Sequence, residues 1–302
     1  MQLSLCVLTF QRDLLLLKCL ESVDNLVIPA EMSCIELIVV DNHGESLANS
    51  INFYHFKNKQ ISLRYVRETQ KGIAFARNTA IRNASLDSEY LAFIDDDEIV
   101  GGNWLVEMLR VAVQTKADVV TGDVKSILPE GTAQRILDMN FFERMKHRDM
   151  ECIDYARTGN VLIRRSIFAE VGYFDVAYAL SGGEDTHFFC KLHKKGYKIY
   201  WCEKAIVEEL VGIDRATPSW LLCRWFRVAN TEALVTIDLA SDSFIQKVSF
   251  FIKGIARAGY GCLTLPLAIF FGFNAVMRAL QYFAKGMGHL LGAFAIRYLE
   301  YK

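Results

Sequence analysis

The sequence lacks an excess of charge of either sign, which argues against partners recognised through a global electrostatic field. It contains 34 Lys and Arg residues against 35 Asp and Glu residues, and the net charge is −1. Nucleic-acid-binding domains usually carry a strongly basic surface. We therefore expect no nucleic-acid partner.

The sequence also lacks paired cysteine motifs. Its eight cysteines are scattered, without a Cys-x-x-Cys pair or a cluster with histidine. This spacing favours neither a zinc site nor a disulfide framework, and free cysteines in apolar runs fit a reducing compartment. A basic region and a small-residue cleavage site are missing around residues 3–10, so this stretch is interpreted as a first strand and not as a signal peptide. The catalytic region is expected to stay in the cytoplasm.

Strand and helix patterns alternate through the first half of the 302 residues. Apolar runs at 3–10, 35–41, 62–66 and 117–122 predict strands, and 13–23 and 72–84 predict helices. This alternation is typical of an α/β fold in which crossover helices connect parallel strands. The polar stretch 125–157 has no recognisable signature and is expected to cross the surface.

Four consecutive acids, Asp95 to Glu98, follow the apolar run 90–94. Crowded carboxylates repel one another, and a hard divalent ion with oxygen ligands relieves that repulsion. The alternative is a solvated acidic turn at the end of a strand. In parallel sheets ligands bind beyond the carboxyl ends of the strands, where Thr9, Phe10 and Asp41 are also expected. Asp41 either accepts hydrogen bonds from a sugar hydroxyl or base edge, or it caps its turn.

Four segments resemble the successive signatures of the family 2 inverting glycosyltransferases of GT-A fold. They are Leu8-Thr9-Phe10-Gln11-Arg12, Val39-Val40-Asp41-Asn42, Gly72-Ile73-Ala74-Phe75-Ala76-Arg77-Asn78 and Phe93-Ile94-Asp95-Asp96-Asp97-Glu98. The resemblance covers residues 1 to about 230. It implies a GT-A mixed α/β sheet with flanking helices and a nucleotide-sugar donor, with UDP as the expected nucleotide.

The same resemblance assigns roles to individual residues. The expected donor-binding residues are Thr9, Phe10, Arg12, Asp41, Arg77, Asp95 and Asp96. Arg77 alternatively braces the acidic cluster or is an ordinary surface arginine. Asp97, the last acid of the DXD motif, is the expected ligand of Mn²⁺ or Mg²⁺. Many relatives carry a histidine as a further ligand, but this chain has Glu208-Glu209 there, as does a bacterial exopolysaccharide (succinoglycan-type) subgroup that it resembles, and Glu209 is the expected substitute.

The segment Gly182-Gly183-Glu184-Asp185 resembles the family motif whose aspartate is the catalytic base. Asp185 is therefore the expected base, and the alternative is a helix cap stabilised by the helix dipole. Asn160 and Glu184 are further candidates for the acceptor or phosphate site. Arg224 and Arg227 lie one helical turn apart and are expected to bind either the leaving diphosphate or membrane phosphates.

Residues 258–277 contain no charged side chain, which matches the thickness of a bilayer core. Glycines and Pro266 interrupt the run, so an interfacial or re-entrant helix pair is an alternative to a spanning helix, as is a soluble core helix. The predicted organisation is a catalytic domain at 1–230 and a helical, membrane-associated region at 231–302. Attachment is expected at the cytoplasmic face of the cell membrane.

These observations predict a metal-dependent inverting glycosyltransferase. Its expected acceptor is a lipid-linked saccharide used in cell-surface polysaccharide or glycoconjugate synthesis. Two alternatives remain open: a sugar nucleotidyltransferase, and a non-catalytic, membrane-tethered module that binds nucleotide sugars.

Overall fold

The computed structural model describes residues 1–43 and 54–300. The strands are β1 (Gln2–Thr9), β2 (Cys34–Asp41), β3 (Ile61–Arg67), β4 (Ser88–Asp95), β5 (Glu98–Val100), β6 (Val119–Ile127), β7 (Cys152–Ile153), β8 (Asn160–Arg164) and β9 (Ile199–Leu210). The helices are α1 (Asp13–Asp24), α2 (Ile73–Asn83), α3 (Trp104–Thr115), α4 (Gln134–Leu137), α5 (Ser166–Glu170), α6 (Glu184–Lys194), α7 (Pro218–Asp238), α8 (Ser243–Ala268) and α9 (Phe273–Ala293).

The strands form one mixed sheet in the order β3-β2-β1-β4-β8-β6-β9-β5, with β7 paired to β9. Strands β3, β2, β1 and β4 are mutually parallel, whereas β8 is antiparallel to β4 and to β6. Strand β9 is parallel to β6 and antiparallel to β5. The predicted α/β class with a mixed sheet is therefore confirmed.

The register of the parallel strands brings the predicted polar strand ends together. Thr9 pairs with Asp41 across β1 and β2, and Leu8 pairs with Asp95 across β1 and β4. The carboxyl ends of three neighbouring strands thus meet at one edge of the sheet, as the strand pattern predicted.

Core residues cover both faces of the sheet. Along β1, Leu5 and Val7 pack into the cluster that contains Trp104 of α3, while Cys6 packs into the cluster that contains Phe188 of α6. Successive side chains of a strand point to opposite faces, and strands buried on both faces are apolar throughout. The polar residues of these strands are therefore concentrated at the carboxyl edge.

Part of the 125–157 stretch does not cross the surface as expected. Helix α4 contributes the buried Ile136, and the next two aromatic residues pack against α7. Phe141 lies 5.5 Å from Trp225 and Phe142 lies 6.3 Å from Trp220, measured between ring centroids. The surface prediction was wrong here because it considered polarity alone and overlooked these aromatic anchors.

The C-terminal helices form a hairpin that packs on α7. Gly272, with φ of 86°, separates α8 from α9, so the uncharged stretch 258–277 is divided between two helices. Glycines permit close contact between them, since a Cβ on Gly286 would lie 2.4 Å from the backbone nitrogen of Ala258. The proposed boundary at 230 falls inside α7 and remains a prediction.

Within the described residues, one helix is long and apolar enough to cross a membrane by length and composition. It runs over Ser243–Phe271, and only 17% of its most apolar window is buried. Leu263, Phe270 and Phe271 are each at least 79% exposed. A core helix of a soluble protein would be mostly buried, so this exposure favours an unpartnered apolar face.

Candidate active site

A cleft of about 1220 Å³ opens at the carboxyl edge of β1 and β4. The predicted site residues that line it are Thr9, Phe10, Arg12, Arg77, Asp95, Asp96, Asp97, Glu184, Asp185, Glu209, Arg224 and Arg227. Asp41 and Asn160 are not among its lining residues. The fold therefore gathers twelve of the fourteen predicted side chains around one space.

The residues that follow β1 hold the acidic motif in place. The Thr9 hydroxyl donates to Oδ2 of Asp96 at 2.8 Å. Nη1 of Arg12 donates to Asp96 at 3.1 Å and to Asp97 at 3.0 Å. One guanidinium thus offsets the charge of two adjacent carboxylates, and the two strand ends are fixed to each other.

Three carboxyl groups of this segment, those of Asp95, Asp96 and Glu98, are difficult to ionise. Burial raises the pKa of Asp96 from 3.8 to about 6, and the positive charge of Arg12 offsets only part of that effect. The pKa of Asp95 also rises to about 6, because loss of solvation outweighs the attraction of Arg77, although 43% of the side chain is exposed to the cleft. Burial and the neighbouring Asp95 raise the pKa of Glu98 well above its ordinary value. A bound cation would favour ionisation of all three.

Asp97 and Glu209 offer carboxylate oxygens around a shared position for a cation. Nη1 of Arg215 lies 3.2 Å from Asp97 and 3.7 Å from Glu209, between these two predicted metal ligands. Glu209 also accepts from the Ser126 hydroxyl at 3.1 Å and from Arg144. Hard oxygen donors are the ligands that Mn²⁺ and Mg²⁺ prefer, so the donor chemistry fits such an ion, with the guanidinium of Arg215 now supplying the positive charge.

Arg77 is braced by the motif that precedes the predicted base. It is 3% exposed and pairs with Glu184, which is 2% exposed. Its Nη2 lies 3.8 Å from Asp95. The buried ion pair of Glu184 with Arg77 links α6 to α2. This burial favours a positioning role for Glu184 over direct contact with an acceptor.

Asp185 lies in the first turn of α6 and faces the cleft. Its Oδ1 accepts from the backbone nitrogen of Thr186 at 2.7 Å, which leaves Oδ2 without a hydrogen-bond partner among the described residues. Gly183 precedes it with φ of 90°, and a Cβ there would lie 2.3 Å from Thr231 of α7. The glycine therefore lets the loop approach α7 while one carboxylate oxygen remains directed toward ligand space.

Two predicted donor-binding residues differ in accessibility. Asp41 is fully buried and accepts from the Tyr65 hydroxyl at 2.7 Å and from the backbone of His43 at 2.9 Å. The second bond is the turn-capping contact of the alternative interpretation. Phe10 is 43% exposed at the cleft, with its ring edge-on to His43. The roles of both in donor binding remain predictions.

The predicted pair of arginines on α7 is divided between two environments. Arg227 forms an ion pair with Glu300 near the C-terminus. Arg224 has no ion pair with any residue in 1–43 or 54–300, and its guanidinium lies 5.9 Å from the centre of the Trp220 ring. Burial, followed by the charges of Arg227 and Arg157, lowers the pKa of Arg224 to about 10. Arg224 is thus the member of the pair whose charge is available to an anion.

The predicted acceptor role of Asn160 is not supported by its position. Asn160 is 1% exposed. Its Oδ1 accepts from the indole nitrogen of Trp104 at 2.8 Å, and its Nδ2 donates to the carbonyls of Asp123 and Ala205 at 2.8 and 2.7 Å. Every polar atom of the amide is therefore used inside the fold, which indicates a structural role.

One group in the described part of the chain has metal-ligand spacing, and it lies outside the acidic motif. Potential ligand atoms of Asp175, His187 and Asp238 lie within 4.8 Å of one another. His187 stacks on Tyr178, and Asp175 accepts from the backbone of Ala177 at 2.8 Å. These protein contacts account for the group and indicate a structural role for His187.

Several cleft residues escaped the sequence-based prediction. They are Arg144, Arg157, Arg215, Arg278 and Lys285. Burial and Arg144 lower the pKa of Arg157, although its side chain is open to the cleft. None of these residues belongs to a motif with fixed spacing. Only the tertiary fold brings them to the cleft that also contains the acidic motif.

Known proteins resemble this chain in sequence and in fold. The succinoglycan biosynthesis protein ExoM of Rhizobium meliloti (strain 1021) is 30% identical over 258 residues, which are 82% of this chain and 82% of that protein. The glycosyltransferase AglE of Haloferax volcanii is 28% identical over 226 residues, 72% of this chain and 68% of that protein.

The fold resembles the crystal structure of S. aureus TarS 1–349 in complex with UDP-GlcNAc, with a TM-score of 0.57 and 17% identity over 82% of this chain and 70% of that chain. It also resembles GalNAc-T7 with UDP, GalNAc and Mn²⁺, with a TM-score of 0.56 and 14% identity over 77% of this chain and 50% of that chain. The predicted GT-A fold is thereby confirmed. Residues 4–172 match the family described as Glycosyl transferase family 2. The chain therefore belongs to glycosyl transferase family 2 and is a glycosyltransferase.

Proposed function

We propose that this glycosyltransferase moves a sugar from a UDP-sugar to a hydroxyl of a lipid-linked saccharide, with inversion at the anomeric carbon. The observation that carries the proposal is the placement of Asp185 and the acids Asp95–Asp97 on one cleft at the carboxyl edge of the sheet. Similarity to ExoM, whose name refers to succinoglycan biosynthesis, supports a role in the synthesis of a polysaccharide or glycoconjugate. The TarS complex with UDP-GlcNAc supports UDP as the donor nucleotide.

The donor is proposed to bind over the acidic motif. Asp95 and Asp96 contact its nucleotide sugar, with Thr9 and Arg12 holding the motif in position. Asp97 and Glu209 would hold Mn²⁺ or Mg²⁺, which supplies charge stabilisation at the leaving diphosphate when bound. For this arrangement the guanidinium of Arg215 moves away from the two carboxylates, and it remains close enough to contact a phosphate.

The proposed base is the partly exposed carboxylate of Asp185. It removes the proton of the acceptor hydroxyl while that oxygen forms a bond with the anomeric carbon. The bond from this carbon to the phosphate oxygen breaks, and the nucleoside diphosphate leaves from the opposite face with the electron pair. Arg224, which has no carboxylate partner, is placed to stabilise the negative charge that develops on the leaving group.

The C-terminal hairpin is proposed to attach the enzyme to the cytoplasmic face of a membrane. One face of α8 packs on α9, while its other face exposes Phe244, Ile252, Leu263 and Leu267. Since α9 in turn packs on α7 of the cleft, the geometry favours α8 lying in the membrane surface over a span separated from the fold.

The charge of the hairpin supports this placement. From residue 243 to the end, the chain has seven Lys and Arg residues and the single acid Glu300. A basic segment with an exposed apolar face binds membranes of anionic lipids because its apolar side chains are buried in the bilayer surface and its positive charges are attracted to the headgroups. The expected partner is therefore the membrane surface on which a lipid-linked acceptor resides.

The primary test is donor hydrolysis by the purified full-length protein in detergent. A panel of UDP-sugars is incubated with Mn²⁺, with Mg²⁺ and with chelator, and the release of UDP is measured. We expect slow, metal-dependent release from one donor. The absence of both turnover and a nucleotide-induced thermal shift would contradict the proposal. Release of pyrophosphate from UTP and a sugar phosphate would support the nucleotidyltransferase alternative.

The role of Asp185 is tested with Asp185→Asn. General base catalysis contributes about 10²–10⁴-fold, so we expect turnover to fall at least about a hundredfold. The affinity for UDP, measured by calorimetry, should stay unchanged because the hydrogen bonds of Asp185 within the described residues go to Thr186 and not to the acidic motif. Near-normal turnover in this variant would exclude Asp185 as the base.

A further inference from the structure

Helix α9 contributes a polar stripe to the wall of the cleft. The stripe consists of Asn274, Arg278, Gln281 and Lys285. Their spacings of four, three and four residues place them on one helix face over about 16 Å. The neighbouring faces are packed, because Gly286 meets Ala258 of α8 and Gly288 meets the carbonyl of Phe226 on α7. The C-terminal hairpin is thus part of the site and not only an anchor.

The two cations of this stripe have no counter-ion. Arg278 is exposed, Lys285 is half-buried, and neither forms an ion pair within 1–43 or 54–300. Burial and the charge of Arg257 lower the pKa of Lys285, and Glu232 opposes them only in part. Glu232 itself accepts from His289 at 3.2 Å. Uncompensated positive charge therefore faces the cleft, which is suited to an anionic ligand.

The stripe also lies close to the apolar face of the hairpin. Gly254 and Gly261 of α8 contact α9 through Leu290 and Phe283. Axes of packed helices are about 8–10 Å apart. The cleft wall is therefore about one helix diameter from the surface proposed to enter the membrane.

We propose that Arg278 and Lys285 bind the phosphate or diphosphate group at the lipid end of the acceptor. This inference rests on the proposed transfer to a lipid-linked acceptor. The donor diphosphate is expected elsewhere, at Asp97 and Glu209, where Arg215 already lies within 4 Å of both. Arg278 and Lys285 pair with none of those acids, so the charge of the stripe serves a second anion. The amides of Asn274 and Gln281 supply hydrogen bonds beside it.

The test measures binding of farnesyl diphosphate to the full-length protein in detergent, with UDP and Mn²⁺ at saturating concentrations to fill the donor site. Farnesol serves as the uncharged probe. We expect the wild type to bind farnesyl diphosphate and the double variant Arg278→Gln, Lys285→Gln to bind it roughly tenfold or more weakly, since charged hydrogen bonds are lost. The matched control Lys247→Gln, Lys253→Gln removes two charges from the same hairpin outside the cleft and should bind like the wild type.

Three results would overturn the inference. They are equal binding by wild type and cleft variant, equal binding of farnesyl diphosphate and farnesol by the wild type, and binding of farnesyl diphosphate by the wild type that occurs without UDP and Mn²⁺ but is lost when both are saturating. Vesicles of phosphatidylglycerol distinguish phospholipid headgroups as the source of the phosphate. A larger loss of vesicle binding in the cleft variant than in the control would assign these charges to the headgroups and also overturn the inference.

The same preparation separates this inference from the proposed function. Metal-dependent hydrolysis of a UDP-sugar by a wild type that does not bind farnesyl diphosphate would retain the proposed function and reject the phosphate site. Binding that depends on Arg278 and Lys285, with neither hydrolysis of any UDP-sugar nor a nucleotide-induced thermal shift, would support the phosphate site and contradict the proposed function.

Discussion

The ionised side chain of Asp96, a proposed donor-binding residue, is predicted to lower the stability of the folded protein. The variant Asp96→Asn should therefore be more stable than the wild type. Asp96 is 4% exposed. Burial raises its pKa from 3.8 to about 6 despite the contacts with Arg12 and Thr9. The fold therefore favours the protonated form, and ionisation above pH 6 opposes folding.

The pKa shift sets the size of the effect. A pKa that is higher by about two in the folded state corresponds to a loss of about 3 kcal/mol in the free energy of unfolding. Asparagine keeps an acceptor for the Thr9 hydroxyl, and Arg12 keeps its bond to Asp97 at 3.0 Å. Some attraction to Arg12 is lost, so we expect Asp96→Asn to be more stable than the wild type by about 2 kcal/mol at pH 8.

The sign of the pH dependence follows from the raised pKa. Below pH 3.8 the carboxyl is protonated in the folded and unfolded states, and the cost is absent. It grows between pH 3.8 and about 6 and is complete above that range. We therefore expect the stability advantage of Asp96→Asn to be larger in an assay at about pH 8 than in one at about pH 4.5.

Thermal unfolding in the presence of chelator measures this difference. About 2 kcal/mol should raise the Tm by roughly 3 °C at high pH for a chain of this length, and the difference should be smaller at low pH. Asp185→Asn makes the same chemical change at a partly exposed position and should alter stability by less than about 0.5 kcal/mol. UDP with Mn²⁺ should stabilise the wild type more than Asp96→Asn. A variant less stable than the wild type at high pH would refute the argument.

Three further substitutions test the structural assignments. Asn160→Ala leaves the Trp104 indole and two backbone groups unpaired, so we expect a loss of about 2–4 kcal/mol in urea unfolding; a raised acceptor KM with unchanged stability would return Asn160 to the acceptor site. Glu184→Gln removes the counter-charge of buried Arg77 and should cost about 3–5 kcal/mol, part of which the added substitution Arg77→Met should restore. Gly286→Leu should separate α8 from α9 and speed tryptic cleavage of the hairpin, whereas Gly259→Leu, with no neighbour within 4 Å of the added Cβ, should not.

The sequence pattern was sufficient to predict the parallel strands β1 to β4 and the edge at which their carboxyl ends meet. Apolar runs that end in Thr9, Asp41 and Asp95 identify parallel strands, and parallel strands necessarily bring their carboxyl ends to one edge. This part of the prediction depends on local alternation and topology, which are encoded in short segments.

Longer-range pairing was less accessible to the same reasoning. The strand-like residues of this region end at 202, before the polar pair Glu203-Lys204, whereas β9 continues to Leu210. Strand β6 and the short β5 supply its later hydrogen bonds, and Glu98 pairs directly with Glu209. The polar residues that suggested the end of the strand are tolerated because partner strands, and not local propensity, maintain it.

The cations around the cleft were hidden for a related reason. Arg215 lies in a short 3₁₀ turn, and Arg278 lies on a helix whose nearest predicted feature was membrane attachment. Neither position has a local pattern that predicts its neighbours. Their place on the cleft depends on how α7 and α9 pack on the rest of the fold, which spacing along the chain does not specify.

The C-terminal region and the catalytic loop are joined by one continuous set of contacts. Asn230 of α7 donates to the carbonyl of Gly288 on α9 at 3.2 Å and accepts from the backbone of Tyr298 at 3.1 Å. The backbone nitrogen of Glu300 then donates to the carbonyl of Leu180 at 2.9 Å, in the loop that leads to the proposed base. The donor side, by contrast, is held by β1 and the acidic motif, which make none of these contacts.

This division of contacts is expected to separate the two substrates in part, although Arg77 pairs with Glu184 beside the proposed base and lies 3.8 Å from Asp95. Ordering of the hairpin at a membrane would act through α9 and the C-terminal segment on the loop before Asp185, while the bonds of Thr9 and Arg12 to Asp96 would be unaffected. The expected consequence of membrane attachment is therefore an effect on acceptor binding and on the position of the base. Affinity for the nucleotide is expected to depend on the sheet edge and to be similar in detergent and on vesicles.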